Sequence, residues 1–197
     1  MFRITVHRLL LALLGALVPL IGSAQDVDTA AATPPAGETF TESTIIKEAA
    51  DFLGAGAEGV GEVLEKVFAD LGRPNAYIEG EEASGAIGVG ARYGNGTLKF
   101  KSGGSRTVHW TGPSIGFDAG ANVSKVFVLV YNLADSNALF QRFPAVDGSI
   151  YVVGGISANY HQSGNIVLAP VRLGAGLRAG INVGYMKYTA EKTWNPF

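Results

Sequence analysis

The 197 residues suit one domain with its own core, and they carry a formal charge of −2, 27 glycines and no cysteine. The acidic balance argues against a nucleic-acid protein, which needs a basic surface to neutralise phosphates, and no polybasic patch for anionic lipid is expected. Without cysteine there is no disulfide, no thiolate nucleophile and no acylated N-terminal cysteine.

The first 24 residues have the order of an export signal. Arg3 and Arg8 supply the positive start, an apolar run covers Leu9 to Ile21, and Gly22-Ser23-Ala24 ends it with small residues. Cleavage is expected after Ala24, because the apolar run is shorter than the ~20 residues that span a bilayer. Cleavage would remove two arginines, leaving 13 Lys+Arg against 17 Asp+Glu. The expected compartment is the periplasm. Residues 25–43, with Pro34-Pro35, lack apolar periodicity and read as a disordered tether before a folded domain at 44–197.

Two amphipathic helices are expected next. Ile45, Ile46, Ala49, Phe52 and Leu53 share one face of 41–53. Val60, Val63, Leu64, Val67, Phe68 and Leu71 form a stripe over 58–71, stopped by Gly72 and Pro74. Gly54-Ala-Gly56-Ala-Glu-Gly59 matches G-x-G-x-x-G, but a helix precedes it where a dinucleotide site needs a strand. It reads as the break between the helices.

From Tyr77 the pattern turns to β-structure, as 16% charged residues and abundant glycine suggest. Strands are expected at 86–92 and 97–101 around a hairpin turn at Tyr93-Gly94-Asn95-Gly96, and at 106–110 before a turn at Thr111-Gly112-Pro113-Ser114. Lys125 to Asn132 is apolar on both faces and reads as a strand covered on both sides. Asp135 or Ser136 can cap a short helix at 137–143. Strands at 149–160 and 165–172 flank a turn at His161-Gln162-Ser163-Gly164. From Leu173 to Tyr185 apolar residues alternate strictly with a glycine-rich face. The expected fold class is mainly β: a small soluble closed β-barrel of about eight strands with the N-terminal amphipathic helices packed outside.

The inventory of chemical groups points away from an enzyme. His109 and His161 lack a second metal ligand at a recognisable spacing, so no metal site and no cofactor are expected. There is no G-x-S-x-G elbow. Glu79, Glu81 and Glu82 read as a solvated acidic loop. Arg92, Arg142, Arg172 and Arg178 lie in apolar surroundings, and any that is buried must find an acid, a carbonyl or water. A barrel with an apolar interior suits a lipid or other apolar small molecule, for which Ile115, Phe117, Tyr151, Val153, Leu177 and Ile181 are the candidate lining residues. The same side chains could equally fill the barrel as core.

Three stretches carry a family resemblance: Gly112-Pro113-Ser114-Ile115-Gly116-Phe117-Asp118-Ala119-Gly120, Lys125-Val126-Phe127-Val128-Leu129-Val130-Tyr131-Asn132, and Leu139-Phe140-Gln141-Arg142-Phe143-Pro144-Ala145-Val146-Asp147-Gly148-Ser149. Together with the ending Thr193-Trp194-Asn195-Pro196-Phe197, they resemble the bacterial envelope integrity protein A family. The chain is more loosely similar to SYLF lipid-binding domains. The resemblance implies a small periplasmic β-barrel that keeps the envelope intact without known catalysis, with envelope proteins as candidate partners. The alternative is an outer-membrane β-barrel, suggested by glycine-rich alternating strands and the terminal Phe197. Against it stand the two-sided apolar strand at 125–132 and the amphipathic helices, so no integral membrane insertion is expected.

Overall fold

The two amphipathic stripes fold as helices α1 (Glu42–Leu53) and α2 (Ala57–Leu71) in a computed structural model that describes residues 38–54, 57–173 and 184–195. The expected signal peptide, the tether up to residue 37 and most of the alternating run 173–185 lie outside the described residues. Thr41 caps α1 by accepting the Thr44 N–H at 3.4 Å, and Gly54, at φ 70°, ends it by returning its N–H to the Ala50 carbonyl. The break between the helices therefore falls where Gly54 is. Helix α1 begins ahead of the expected domain boundary at 44. Phe40 already belongs to the core, packed edge-on against Tyr77 at 5.1 Å.

Among the described residues eight strands form one curled sheet. The longest are β1 (Ala76–Phe100) and β2 (Ser105–Tyr131), an antiparallel hairpin with an irregular register between Ser84 and Ala86. Three short strands follow, β3 (Arg142–Pro144), β4 (Tyr151–Val153) and β5 (Ile156–Ala158), then β6 (His161–Ser163), β7 (Ile166–Leu173) and β8 (Tyr185–Thr189). A 3-10 turn, Ser136–Leu139, replaces the helix expected at 137–143, with Asp135 as its cap.

Each long strand bends and serves as two staves of the barrel. Residues 126–131 of β2 pair with β7, while 109–111 pair with β8. Strand β8 pairs with β3, β7 pairs with β6, and a bridge between Ala145 and His161 joins β6 to the end of β3. On the other side the two halves of β1 meet. Lys101 donates its N–H to the Asn75 carbonyl at 3.0 Å, and a side chain at Gly80 would lie 3.0 Å from the Gly96 Cα. Only glycines allow two backbones so close. Strands β4 and β5 extend the sheet beside β7, under α2.

Two expected turns are strand instead. The hairpin turn lies at residues 101–104, where Gly103 and Gly104 have φ 99° and 87°, and β1 runs straight through 93–96. Gly94 is there for a packing reason: it pairs opposite Trp110, and any Cβ would fall inside the indole ring. A Cβ on Gly80 would meet the same ring at 2.6 Å. Strand β2 likewise continues through Pro113, and its pairing with β8 stops at Thr111, where the missing proline N–H does no harm.

The two-sided strand is as expected. Val126, Val128 and Val130 face the barrel interior with Ile78, Leu98, Val108, Trp110, Phe143, Leu168, Met186 and Tyr188. Phe127, Leu129 and Tyr131 face outward, onto Ile45, Ala49, Val60, Val63, Leu64 and Val67 of the helices. The helices thus pack outside the barrel and bury one face of its thickest wall. At about 1.5–3 kcal/mol per fully buried large apolar side chain, both layers contribute substantially to stability.

Candidate functional site

The barrel interior changes character along its length. One end is aliphatic, with Leu98, Val108, Val130, Leu133 and Leu139 fully or almost fully buried. At the other end Glu82, Arg92, Arg172, Asn159 and His161 are buried together. Strand periodicity places them there: Glu82 shares a face of β1 with Ile78 and Gly80, and Arg172 shares a face of β7 with Leu168.

Glu82 is the centre. Its carboxylate accepts Arg172 Nε at 3.1 Å and Nη2 at 3.3 Å, a bidentate pair, and the Trp110 Nε1–H at 3.0 Å. Arg92 Nε lies 3.8 Å from the same carboxylate. Burial alone would raise the Glu82 pKa, but the two guanidiniums and the hydrogen bonds outweigh it and hold the carboxyl down at about 2.

The chain of bonds continues across the barrel. Arg172 Nη1 donates to Asn159 Oδ1 at 2.8 Å, which leaves the Asn159 amide N–H to donate to His161 Nε2 at 2.7 Å. His161 must then carry its proton on Nδ1, facing the Phe143 carbonyl at 3.2 Å. A second proton on Nε2 would oppose the Asn159 amide, and Asn159 cannot flip without losing Arg172. Burial first, and then the charge of Arg172, push the His161 pKa down to about 3. The turn expected at His161 is instead strand β6, where the buried imidazole has a structural role and ties β6 to β3.

At this level the Tyr188 hydroxyl is also buried without a hydrogen-bond partner. Burial pushes the Tyr188 phenol well up. Glu82, His161 and Tyr188 are therefore all shifted away from neutral pH, where a general acid or base works best. What the arrangement does is fix several strands around one anion.

The sequence missed this cluster in part. Glu82 was grouped with Glu79 and Glu81 as solvated, yet it is buried, while Glu79 pairs with Lys99 at 2.8 Å and Glu81 is exposed. The alternation Ile78-Gly80-Glu82 was the available signal. The expectation that a buried arginine finds an acid holds for Arg172 and Arg92. Arg142 is exposed over the Tyr185 ring, and Arg178 lies outside the described residues.

Of the six candidate lining residues, the structure describes the side chains of Tyr151 and Val153. Tyr151 and Val153 lie on β4 and pack against the helix-side cluster, where Tyr151 Oη donates to Asp70 at 2.7 Å. Ile115 and Phe117 sit in β2 opposite Val89 and Ile87. Leu177 and Ile181 lie outside the described residues.

A closed run of antiparallel staves, a packed interior ending in an ion network and two helices laid on the outer wall define a small β-barrel module. The chain belongs to the envelope integrity protein A family, whose model matches residues 38–197. In solved structures it is similar to a β-barrel-like, uncharacterized protein from Brucella abortus, with 44% identity and a TM-score of 0.74, over 81% of this chain and 99% of that one. Among curated proteins no relative matches. Membership associates the chain with the cell envelope. Among the described residues no helix is long and apolar enough to cross a membrane.

Proposed function

We propose that the protein is exported, loses residues 1–24 and supports envelope integrity from the periplasm as a non-catalytic binding or scaffolding module. The observation that carries this reading is the ion network. Its carboxylate is held ionised and its imidazole held neutral, so these groups brace the barrel and do not shuttle protons. The helices support a globular rather than a membrane-embedded barrel, because they cover an outer wall that lipid would otherwise touch. Fractionation tests it. Release by osmotic shock, with an N-terminus at Gln25, is expected; heat-modifiable mobility in detergent would favour the outer-membrane alternative.

A second reading adds a lipid or other apolar ligand, with Ile115, Phe117, Tyr151, Val153, Leu177 and Ile181 as its contacts. Its support is the strict alternation of apolar residues over 173–185. Trp110, Phe143 and Tyr188 already fill the middle of the barrel, which leaves such a ligand no room there. Mass spectrometry of lipid extracted from protein purified without detergent decides it. Empty protein that takes up no added lipid removes this reading.

A further inference from the structure

We infer that the outer face of the β1–β2–β8–β3 wall is a docking surface for an anionic phospholipid membrane. The strand register assembles it. Tyr93 pairs with Thr111, Thr111 with Lys187, and Lys187 with Arg142, so Tyr93, Lys187 and Arg142 flank a buried Thr111 in one row across four strands, on the face opposite Trp110 and Phe143. Tyr185 lies diagonally from Arg142, whose guanidinium sits 5.0 Å from its ring. The C-terminal segment adds Trp194, which lies 5.5 Å from the Tyr93 ring and is held by the Tyr93 hydroxyl donating to its carbonyl at 3.0 Å. Lys192 Nζ stands 4.2 Å from the Trp194 ring.

Three observations point outward from this face. Trp194 is 68% exposed, although the chain has only two tryptophans and the other is buried in the core. Like charges directly opposite each other in a ladder are unfavourable, yet Lys187 faces Arg142. Among the described residues neither they nor Lys192 forms an ion pair, and Glu191, beside Lys192, pairs with none of the three. A basic patch whose cations form no ion pair among the described residues, on a protein whose overall charge is negative, is complementary to an external anion.

The aromatic residues specify which anion. Tyrosine and tryptophan with an exposed edge favour the membrane–water boundary, where ring and polar tip are both satisfied. Lysine and arginine beside them meet lipid phosphates. A sugar would need a free ring face for stacking, but Lys192 lies over Trp194, Tyr93 packs beside it, and Arg142 lies over Tyr185. A phosphate surface uses the same cations where they stand. This contact is peripheral, is separate from any ligand inside the barrel, and does not depend on one.

The test uses protein collected without detergent, its N-terminus read by mass spectrometry so that residues 1–24 are known to be absent. Vesicles of phosphatidylcholine with and without phosphatidylglycerol are the probe. Co-sedimentation only with phosphatidylglycerol is expected, weakening as salt rises. Trp194 emission should shift to shorter wavelength, while buried Trp110 stays constant. Replacing Arg142, Lys187 and Lys192 together by Gln should weaken binding about 100-fold, and Lys192→Gln alone about 5-fold. If the triple variant unfolds, the single variant and the salt dependence decide. No binding, equal binding to phosphatidylcholine, undiminished binding by Lys192→Gln, or a neutral oligosaccharide that reproduces the emission shift would each overturn the proposal.

Discussion

The barrel interior is filled by opposite means at its two ends. At one end Leu98, Val108, Val130, Leu133 and Leu139 pack without a charge. At the other, Glu82 collects Arg172, Arg92 and Trp110, and Arg172 passes the connection on to Asn159 and His161. Aliphatic packing tolerates repacking at constant volume and specifies geometry loosely. A buried ion network adds little net stability against a well-packed apolar substitute, but it is costly to break. It also reaches strands that the aliphatic end leaves to short contacts: through His161 and Phe143 it ties β6 to β3. Among the described residues β3 and β6 are joined there by an isolated bridge, Ala145 to His161, rather than by a full ladder. The ionic end therefore sits where the backbone ladder is thinnest.

Breaking the ionic end should cost the most. Glu82→Gln keeps the shape and a hydrogen-bonding oxygen but removes the charge facing Arg172. A loss of about 3–5 kcal/mol is expected in urea unfolding, since a buried guanidinium then lacks its carboxylate. A loss below about 1 kcal/mol would mean that the network is not the brace described here.

Acid separates the two ends next. His161 has a folded pKa near 3, below its ordinary 6.5, so below pH 6.5 the unfolded chain binds a proton that the folded chain refuses. Stability conferred by the neutral His161 is present above pH 6.5 and declines as pH falls toward 3, by about 1.4 kcal/mol per pH unit. Glu82 adds its own decline between pH 4.5 and about 2. Urea midpoints measured from pH 7 to pH 4 should fall, and His161→Gln should flatten the upper part of that fall. The aliphatic end contributes no such slope. A pH-independent midpoint would remove His161 from the network.

Between the two ends stands Trp110, which reaches Glu82 with its indole N–H across the glycines Gly80 and Gly94. Gly94→Ala places a methyl inside the ring position, so the indole must move and its bond to Glu82 must stretch. An overpacking cost of about 1–3 kcal/mol is expected. A change in Trp110 fluorescence should accompany it, because the ring leaves its slot.

The sequence made some of this legible, for identifiable reasons. Lys125–Asn132 showed its two covered faces because a strand between two cores needs apolar residues at consecutive positions, and the helices showed theirs by period. The turns at 93–96 and 111–114 misled because Gly94, Gly96 and Pro113 have the composition of turns. In the fold the glycines answer to contacts with Trp110 and Gly80, remote in sequence or across the hairpin. Glu82 was concealed by its acidic neighbours, although its parity with Ile78 pointed inward. His161 could not be placed, because its burial depends on Asn159, Phe143 and Arg172 meeting it across the barrel. The outer row of Tyr93, Thr111, Lys187 and Arg142 has no linear signature at all, since four strands contribute one residue each.

The smallest expected effect is the one that tests the contrast most finely. The Tyr188 hydroxyl is buried at the ionic end with no hydrogen-bond partner, while its ring packs on Trp110 at 5.7 Å and Phe143 at 5.9 Å. Removing a polar group that makes no bond recovers its desolvation cost and leaves the packing intact. Tyr188→Phe should therefore be neutral or stabilising by up to about 1 kcal/mol in urea unfolding. The ring of Tyr188 would then belong with the apolar packing even though it stands beside the charges. A clear destabilisation would show the hydroxyl bonded into the Glu82 network, extending the ionic end one strand further, onto β8.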